Sequence, residues 1–305
     1  MIAHAVFPQD RIRLTAVTGS FFLQINIFQD KVEEMPRYAI LSDIHGNLEA
    51  LQEVLALCRQ LEIDQYISLG DVVGYNANPG ECLDIVRQLP LAASVKGNHD
   101  EYASSGDQEI SGFNTNARIA IKWTASRLTD EQKNWLSSQK MRAQIAPAGI
   151  TIVHATLDTP ENWGYVFDAH HAADNFSYQW TTLCFCGHSH VPVAFCKKPV
   201  ASGMERSIDS LPEWLHNSSD ENMDYDFSTS DELVVECKQG HKYLFNIGSI
   251  GQPRNGDPRA SFAVYDSDTK KVSRFRVPYD IEAVQKKILA EGLPERLAWR
   301  LAQGC

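Results

Sequence analysis

The chain has 305 residues, 43% hydrophobic and 22% charged, enough for one large domain or two small ones with a sizeable core. A net charge of −11 argues against stable nucleic-acid binding, whose affinity would rest on Lys and Arg neutralising phosphates, and no apolar run approaches the roughly 20 residues of a membrane span. Seven Cys without regular spacing read as reduced thiols of a cytoplasmic protein, since Cys184-x-Cys186 lacks the two-residue gap of a redox or zinc pair.

Residues 1–34 hold one apolar patch, Phe21 to Phe28, but no basic start leading into an apolar run with a cleavage site. They read as a dispensable extension ahead of a single domain over residues 35–305. From Met35, short β-rich runs alternate with helical patterns, which predicts βαβ units and a largely parallel inner sheet. "RYAIL" (37–41) is a strand, and Leu48 to Leu61 is a helix capped by Asn47. "QYISLG" (65–70) is the next strand, Pro79 to Leu89 a helix with Pro just inside its start, and "LAASVKG" (91–97) a third strand. Thr115 to Arg127 and Asp130 to Ser138 are helices, the second capped by Thr129 or Asp130. The strands "GITIVHA", "TTLCFCG", "KYLFNIG" and "RASFAVYD" follow, and a helix over Ile281 to Leu289 ends the pattern.

Five of these β runs discharge polar residues at one end: Asp43-Ile44-His45 after the first, Asp71 after the second, Asn98-His99-Asp100 after the third, His154, and His188-Ser189-His190. One such cluster is a turn, but five in order point to a site, because ligands of α/β sheets bind where loops converge beyond the strand ends. In an extended chain, Asp43-x-His45 and His188-x-His190 would each send both side chains to one side. Carboxylates, imidazoles and one amide oxygen, without thiolate, favour divalent Mn, Fe, Ni or Zn. Seven candidates, Asp43, His45, Asp71, Asn98, His154, His188 and His190, are too many for one ion. They fit two ions about 3.5 to 4 Å apart that share a carboxylate, with Asp71 the natural bridge.

The ordered set Asp43-Ile44-His45-Gly46-Asn47, Gly70-Asp71, Gly97-Asn98-His99-Asp100, His154 and Gly187-His188-Ser189-His190 resembles the calcineurin-like metallophosphoesterases, over Met35 to about Asp266 and most closely in their small bacterial phosphodiesterase branch. The resemblance implies an α/β fold, a four-layer αββα sandwich of two stacked mixed sheets flanked by helices. It implies that Asp43, His45, Asp71 and His190 hold one metal, and Asp71, Asn98, His154 and His188 the other. His99 would be the general acid, and a hydroxide between the ions would attack phosphorus in line. The 28 positions from Asp43 to Asp71 and the 27 from Asp71 to Asn98 each fit one βαβ unit.

Departures from the family pattern matter as much. Relatives that follow Gly-Asp with Arg-Gly grip phosphate there, whereas this chain runs Gly70-Asp71-Val72-Val73-Gly74-Tyr75. Gly74 stands where the phosphatases place an Asp that orients the catalytic His. A replacement anion grip is Arg254 or Arg259 in "NIGSIGQPRNGDPRASF", the alternative being that this loop is a turn with Arg254 in a structural ion pair. Tyr75 and Asn76 either line a substrate mouth or pack the loop. His170 and His171 read as surface residues, and Trp163, Trp180 and Trp214 as packing. The insert at about 205–235 carries eight Asp or Glu from Asp209 to Glu232, a stretch bounded by Arg206 and Lys238 and without Lys or Arg, and reads as a mobile solvated loop rather than a lid.

The expected substrate is a small phosphorylated molecule, a phosphodiester or phosphomonoester. Asymmetric cleavage of a diadenosine polyphosphate is the alternative, and a scaffold without catalysis the remaining one. An oligomer is compatible with the sequence.

Overall fold

Asn47 starts the first helix as the sequence predicts: its side chain accepts the Ala50 N–H, closing one of the donors a helix leaves open. The computed structural model describes residues 35–105, 112–199, 208–211, 214 and 231–305. The expectations for residues 1–34 and for the middle of the acidic insert lie outside the described residues.

The first half runs β1 (Arg37–Leu41), α1 (Leu48–Gln60), β2 (Gln65–Ser68), α2 (Pro79–Gln88), β3 (Leu91–Ser94), α3 (Asn98–Ser105), α4 (Thr115–Arg127), α5 (Asp130–Ser138), β4 (Arg142–Ile145) and β5 (Ile150–Val153). The second half runs α6 (Ala169–Tyr178), β6 (Leu183–Cys186), β7 (Val193–Lys197), β8 (Ile208–Ser210), β9 (Asp231–Glu236), β10 (Lys242–Asn246), β11 (Ala260–Asp266), β12 (Lys271–Val277), α7 (Ile281–Ala290) and α8 (Glu295–Gln303). Thr129 caps α5 through a reciprocal box with Gln132.

Two six-stranded sheets result, ordered β3-β2-β1-β11-β12-β9 and β4-β5-β6-β10-β7-β8. Strand alternation sorts them into layers. In β1, Tyr38 and Ile40 point into the cluster shared with Ile152, Phe185 and Phe245 of the other sheet. Ala39 and Leu41 point the other way, against Leu51 and Val54 of α1 and Leu83 and Val86 of α2. The second sheet repeats the logic: Leu183 and Phe185 face inward, while Cys184 and Cys186 pack with Ala172 and Phe176 of α6. Helices therefore cover both outer faces of a two-sheet sandwich.

Three expectations need correction. The sheets are mixed rather than largely parallel: four of the ten strand pairings among the described residues are parallel, namely β1 with β2, β2 with β3, β5 with β6 and β6 with β10. The strands beyond the helical crossovers return by short connections and so pair antiparallel. The chain does not end its pattern at α7, because α8 follows and packs on α4 and α7 through Leu297, Ala298 and Leu301. The described ends of the acidic insert are strands rather than loop, β8 pairing with β7 and β9 with β12, and Trp214 is fully buried with its indole N–H donated to the Asn246 carbonyl. Among the described residues no helix is long and apolar enough to cross a membrane.

Candidate metal centre

The six strands that make the parallel pairings deliver the site. Asp43 lies two residues past β1, Asp71 three past β2, Asn98 four past β3, His154 next after β5, and His188 and His190 just past β6. The loop after β10 adds Ser249, Gln252 and Arg254. Parallel strands end at a common edge, so chemistry scattered over the sequence meets there.

The backbone at these positions is not the extended chain that the Asp-x-His spacing predicts. Asp43, His45, Asp71, His188 and His190 have φ of 51, 50, 52, 66 and 60°, all in the left-handed region. Each costs of order 1–2 kcal/mol for a residue with a Cβ, and such strain persists where the surroundings over-determine it. Here they do. Asp43, His45 and Gly46 donate their N–H groups to the carbonyls of Gly70, Asp71 and Val72, and Gly251 donates to Asp43. Asn76 donates its side-chain amide to the His45 carbonyl, and Ser249 its hydroxyl to the Asp43 carbonyl. Gly187 permits a close approach: a Cβ there would stand 2.0 Å from Ser42 Oγ and 2.3 Å from Asp43 Oδ2.

Asp43, His45, Asp71 and His190 form one group that could hold a metal ion, and Asp71, His154 and His188 form a second, so Asp71 belongs to both. Asn98 joins the second, its Oδ1 3.2 Å from His154 Nε2. Asp71 Oδ2 lies 3.6 Å from His45 Nε2 and 3.4 Å from His154 Nε2, while Oδ1 accepts the His99 N–H at 2.8 Å. Asp43 Oδ2 is taken by the Ser42 hydroxyl and the His188 N–H, which leaves Oδ1 buried without a hydrogen-bond donor.

The donor set fits divalent cations. Nδ1 of His45, His154 and His190 lies 3.0, 2.8 and 2.6 Å from the carbonyls of Val73, Leu69 and Gln252. A carbonyl can only accept, so Nδ1 carries the proton and Nε2 turns its lone pair inward, the arrangement that orients metal-ligating imidazoles. The Nε2 atoms of His45 and His190 then face each other at 3.1 Å with Asp43 Oδ1 3.2 Å from the latter, a cluster of lone pairs that a cation would resolve. Burial holds His45 and His190 below the usual histidine range and His188 down at about 3, leaving them neutral and ready to ligate. Burial would lower His154 too, but Asp71 outweighs it and raises the ring to about 9. A cation at Asp71 competes with that proton.

His99 sits in the first turn of α3, its ring beside Tyr75 (4.3 Å between centroids), His45 (4.7 Å) and Phe113 (5.0 Å). Burial lowers it to about 4. Among the described residues no carboxylate bonds its ring: Nδ1 is buried without a partner there, and the neighbouring Asp100 instead accepts the N–H groups of Asp71, Val72, Val73 and Gly97.

A cavity of about 570 Å³ opens over this centre, lined by Asp71, Asn98, His99, His188, His190 and Arg254. Arg254 donates to Gln252 Oε1 at 2.9 Å and Tyr75 Oη at 3.4 Å, and it makes no ion pair with an Asp or Glu among the described residues. Arg259 is structural instead, buried against Asp257 and Asp231. Tyr75 lines the cavity, whereas Asn76 braces the loop. His170 and His171 are exposed on α6, where Asp168 caps their N–H groups.

Trp163 does not merely pack. It lines the cavity wall with Tyr165, which stacks on His188 at 4.4 Å and 21°. Trp180 is 85% exposed, and of the three Trp only Trp214 sits fully in the core. Tyr102, Phe113, Tyr165 and Arg300 escape sequence reasoning. They come from α3, α8 and loops, and only a left-handed Trp163 at φ 53° marks the wall locally.

The calcineurin-like phosphoesterase superfamily domain matches residues 37–205. The chain belongs to the calcineurin-like phosphoesterase superfamily. This phosphoesterase is 35% identical over 268 residues to an uncharacterized protein of Methanocaldococcus jannaschii, covering 87% of this chain and 97% of that one. Its fold matches the crystal structure of a metallophosphoesterase from Sphaerobacter thermophilus with a TM-score of 0.70 and 36% identity, over 88% of this chain and 99% of that one. A hypothetical protein from Pyrococcus horikoshii shares the fold at a TM-score of 0.64 and 19% identity, over 89% of this chain and 99% of the other. Membership supports a metal-dependent phosphoesterase hydrolase, and the buried Asp and His groups could hold the metal.

Proposed function

We propose that the chain hydrolyses phosphodiester or phosphomonoester bonds of a small substrate at a two-ion centre. The observation that carries this reading is the position of Asp71, one carboxylate common to both ligand groups. Asp43, His45, Asp71 and His190 would hold the first ion, and Asp71, Asn98, His154 and His188 the second. Ions bound there supply Lewis acidity and a water acidified enough to attack phosphorus near neutral pH.

The chain's own residues do the rest. The left-handed loops present the donors before any ion arrives, which lowers the reorganisation needed on binding. Arg254 offers the phosphate a guanidinium that no carboxylate among the described residues pairs with, and Tyr75 and Gln252 fix its direction. His99 is the proposed general acid: with Nδ1 against Gly74, Nε2 is the nitrogen that can meet a leaving oxygen. A charged phosphate in the cavity raises the affinity of that ring for a proton, opposing its burial.

The test is hydrolysis of bis-p-nitrophenyl phosphate and p-nitrophenyl phosphate by chelator-treated protein with Mn, Fe, Ni or Zn added back. Metal-restored turnover of either ester supports the reading. Absence of turnover with all four metals, in protein that binds them, contradicts it and favours a scaffold.

A further inference from the structure

Of the four imidazoles in the two ligand groups, three are backed by a carbonyl and one is not. His45, His154 and His190 are each fixed through Nδ1. His188 donates its main-chain N–H to Asp43 Oδ2 at 3.1 Å, but among the described residues no hydrogen bond reaches its ring. That ring lies instead between two others, His154 at 5.1 Å and 63° and Tyr165 at 4.4 Å and 21°. Tyr165 in turn stacks on Phe167 at 5.2 Å and 12°, so three nearly parallel rings lead from the metal centre to the surface.

The segment between β5 and α6 builds this stack. Trp163 turns the chain in the left-handed region at φ 53° and sets its indole edge-on to His154, 5.9 Å between centroids. Val166 is then buried with Ala172 and Phe176 of α6, and in an extended stretch its neighbours Tyr165 and Phe167 face the opposite way. Asp168 ends the segment by capping α6. Tyr165 and Phe167 are 44% and 51% exposed, so little burial fixes them and their order rests on one another and on His188.

We infer that Tyr165 is a positioning residue for the second ion: its ring face does for His188 what a carbonyl does for the other three imidazoles. This rests on the two-ion reading above and deepens it. The two ligand groups are held unequally, because both imidazoles of the first, His45 and His190, have carbonyls behind them while the second depends on His188. A hydrogen bond behind a ligating imidazole fixes both its plane and its tautomer, and losing such support typically costs about 10- to 100-fold in metal affinity. Stacking fixes the plane alone. The ion of the second group is therefore the more exchangeable of the two, and Tyr165 sets how tightly it is held.

The experiment is calorimetric titration of Mn into the chelator-treated full chain, with electron paramagnetic resonance of the loaded protein. The parent should bind two Mn, whose closeness across Asp71 gives a spin-coupled signal. Tyr165→Ala should weaken one ion about tenfold, leave the other within about twofold, and at the same Mn addition show the signal of an isolated ion instead. Tyr165→Phe, which keeps the ring face, should behave as the parent. Tyr165→Leu, which keeps apolar bulk without a ring, should match Tyr165→Ala and serves if that variant does not fold. Unchanged affinity for both ions in Tyr165→Ala, even with a raised KM for substrate, would overturn the positioning role and leave the two-ion reading intact. Equal weakening of both ions would do the same. One Mn per parent chain would overturn the two-ion reading and this inference together.

Discussion

Gly74 and His99 meet where a side chain would otherwise begin: a Cβ on Gly74 would stand 2.4 Å from Nδ1 of His99, and Gly74 itself sits at φ +98°. The ring thus occupies the space of the absent side chain. That explains how His99 is placed without a carboxylate partner, by aromatic neighbours on one side and a bare backbone on the other.

Gly74→Ala should therefore push His99 aside and strain the loop. The expected cost is about 1–3 kcal/mol in stability, with turnover reduced at least about tenfold and metal content unchanged. Thermal denaturation, metal analysis and steady-state rates on one preparation check this. Turnover equal to that of the parent protein would show that the position of His99 does not matter.

His99→Ala separates proton donation from metal binding. A general acid contributes about 10² to 10⁴-fold, and more as the leaving group becomes more basic. The variant should keep its metals yet lose far more rate on an alkyl or nucleoside ester than on a p-nitrophenyl ester, whose leaving group departs without a proton. Equal losses would assign His99 to phosphate orientation, and loss of metal would make it a ligand.

The candidate ligand residues that the structure brings together were legible because each is a polar type that strands rarely end on by chance, repeated five times in order. The sandwich was implied by the family resemblance of the ordered motifs, whereas the two faces of β1 needed the structure, since Tyr38 and Ile40 on one side and Ala39 and Leu41 on the other are all apolar. The left-handed backbone at Asp43 and His45 was not legible, because φ there is set by hydrogen bonds that this loop donates to the carbonyls of Gly70, Asp71 and Val72 and accepts from the Gly251 N–H, all far away in sequence. The choice between Arg254 and Arg259 also needed the structure. Both lie in one loop, and only tertiary packing shows that Asp257 and Asp231 neutralise one and leave the other to the cavity. Arg300 and Tyr165 carry no motif, so nothing local tied them to the site.

Asp257 anchors the arginines behind that loop. It accepts from Arg259 Nε at 3.0 Å and Nη2 at 2.7 Å, and lies 3.5 Å from Arg276 Nε. Burial opposes its charge, but Arg259 and Arg276 hold the carboxyl below the usual range. A carboxyl depressed in the folded state contributes stability that is present above its unfolded pKa of about 3.9 and lost as pH falls through the lower folded value. Asp257→Asn should cost about 3 kcal/mol or more near neutral pH by leaving the buried arginines uncompensated, and flatten the acid limb of the stability profile. Denaturant titrations between pH 2 and 7 check both, and an unchanged acid limb would remove Asp257 from the account.

The most direct test of the central claim is metal stoichiometry and phosphoester hydrolysis measured together on the parent protein and Asp71→Asn. Because one carboxylate serves both ligand groups, the parent should bind two Mn per chain with hydrolysis rising as they load, and the variant should lose turnover and weaken both ions at once. Two ions retained by Asp71→Asn with activity within about tenfold of the parent would contradict the shared bridge on which the two-ion centre rests.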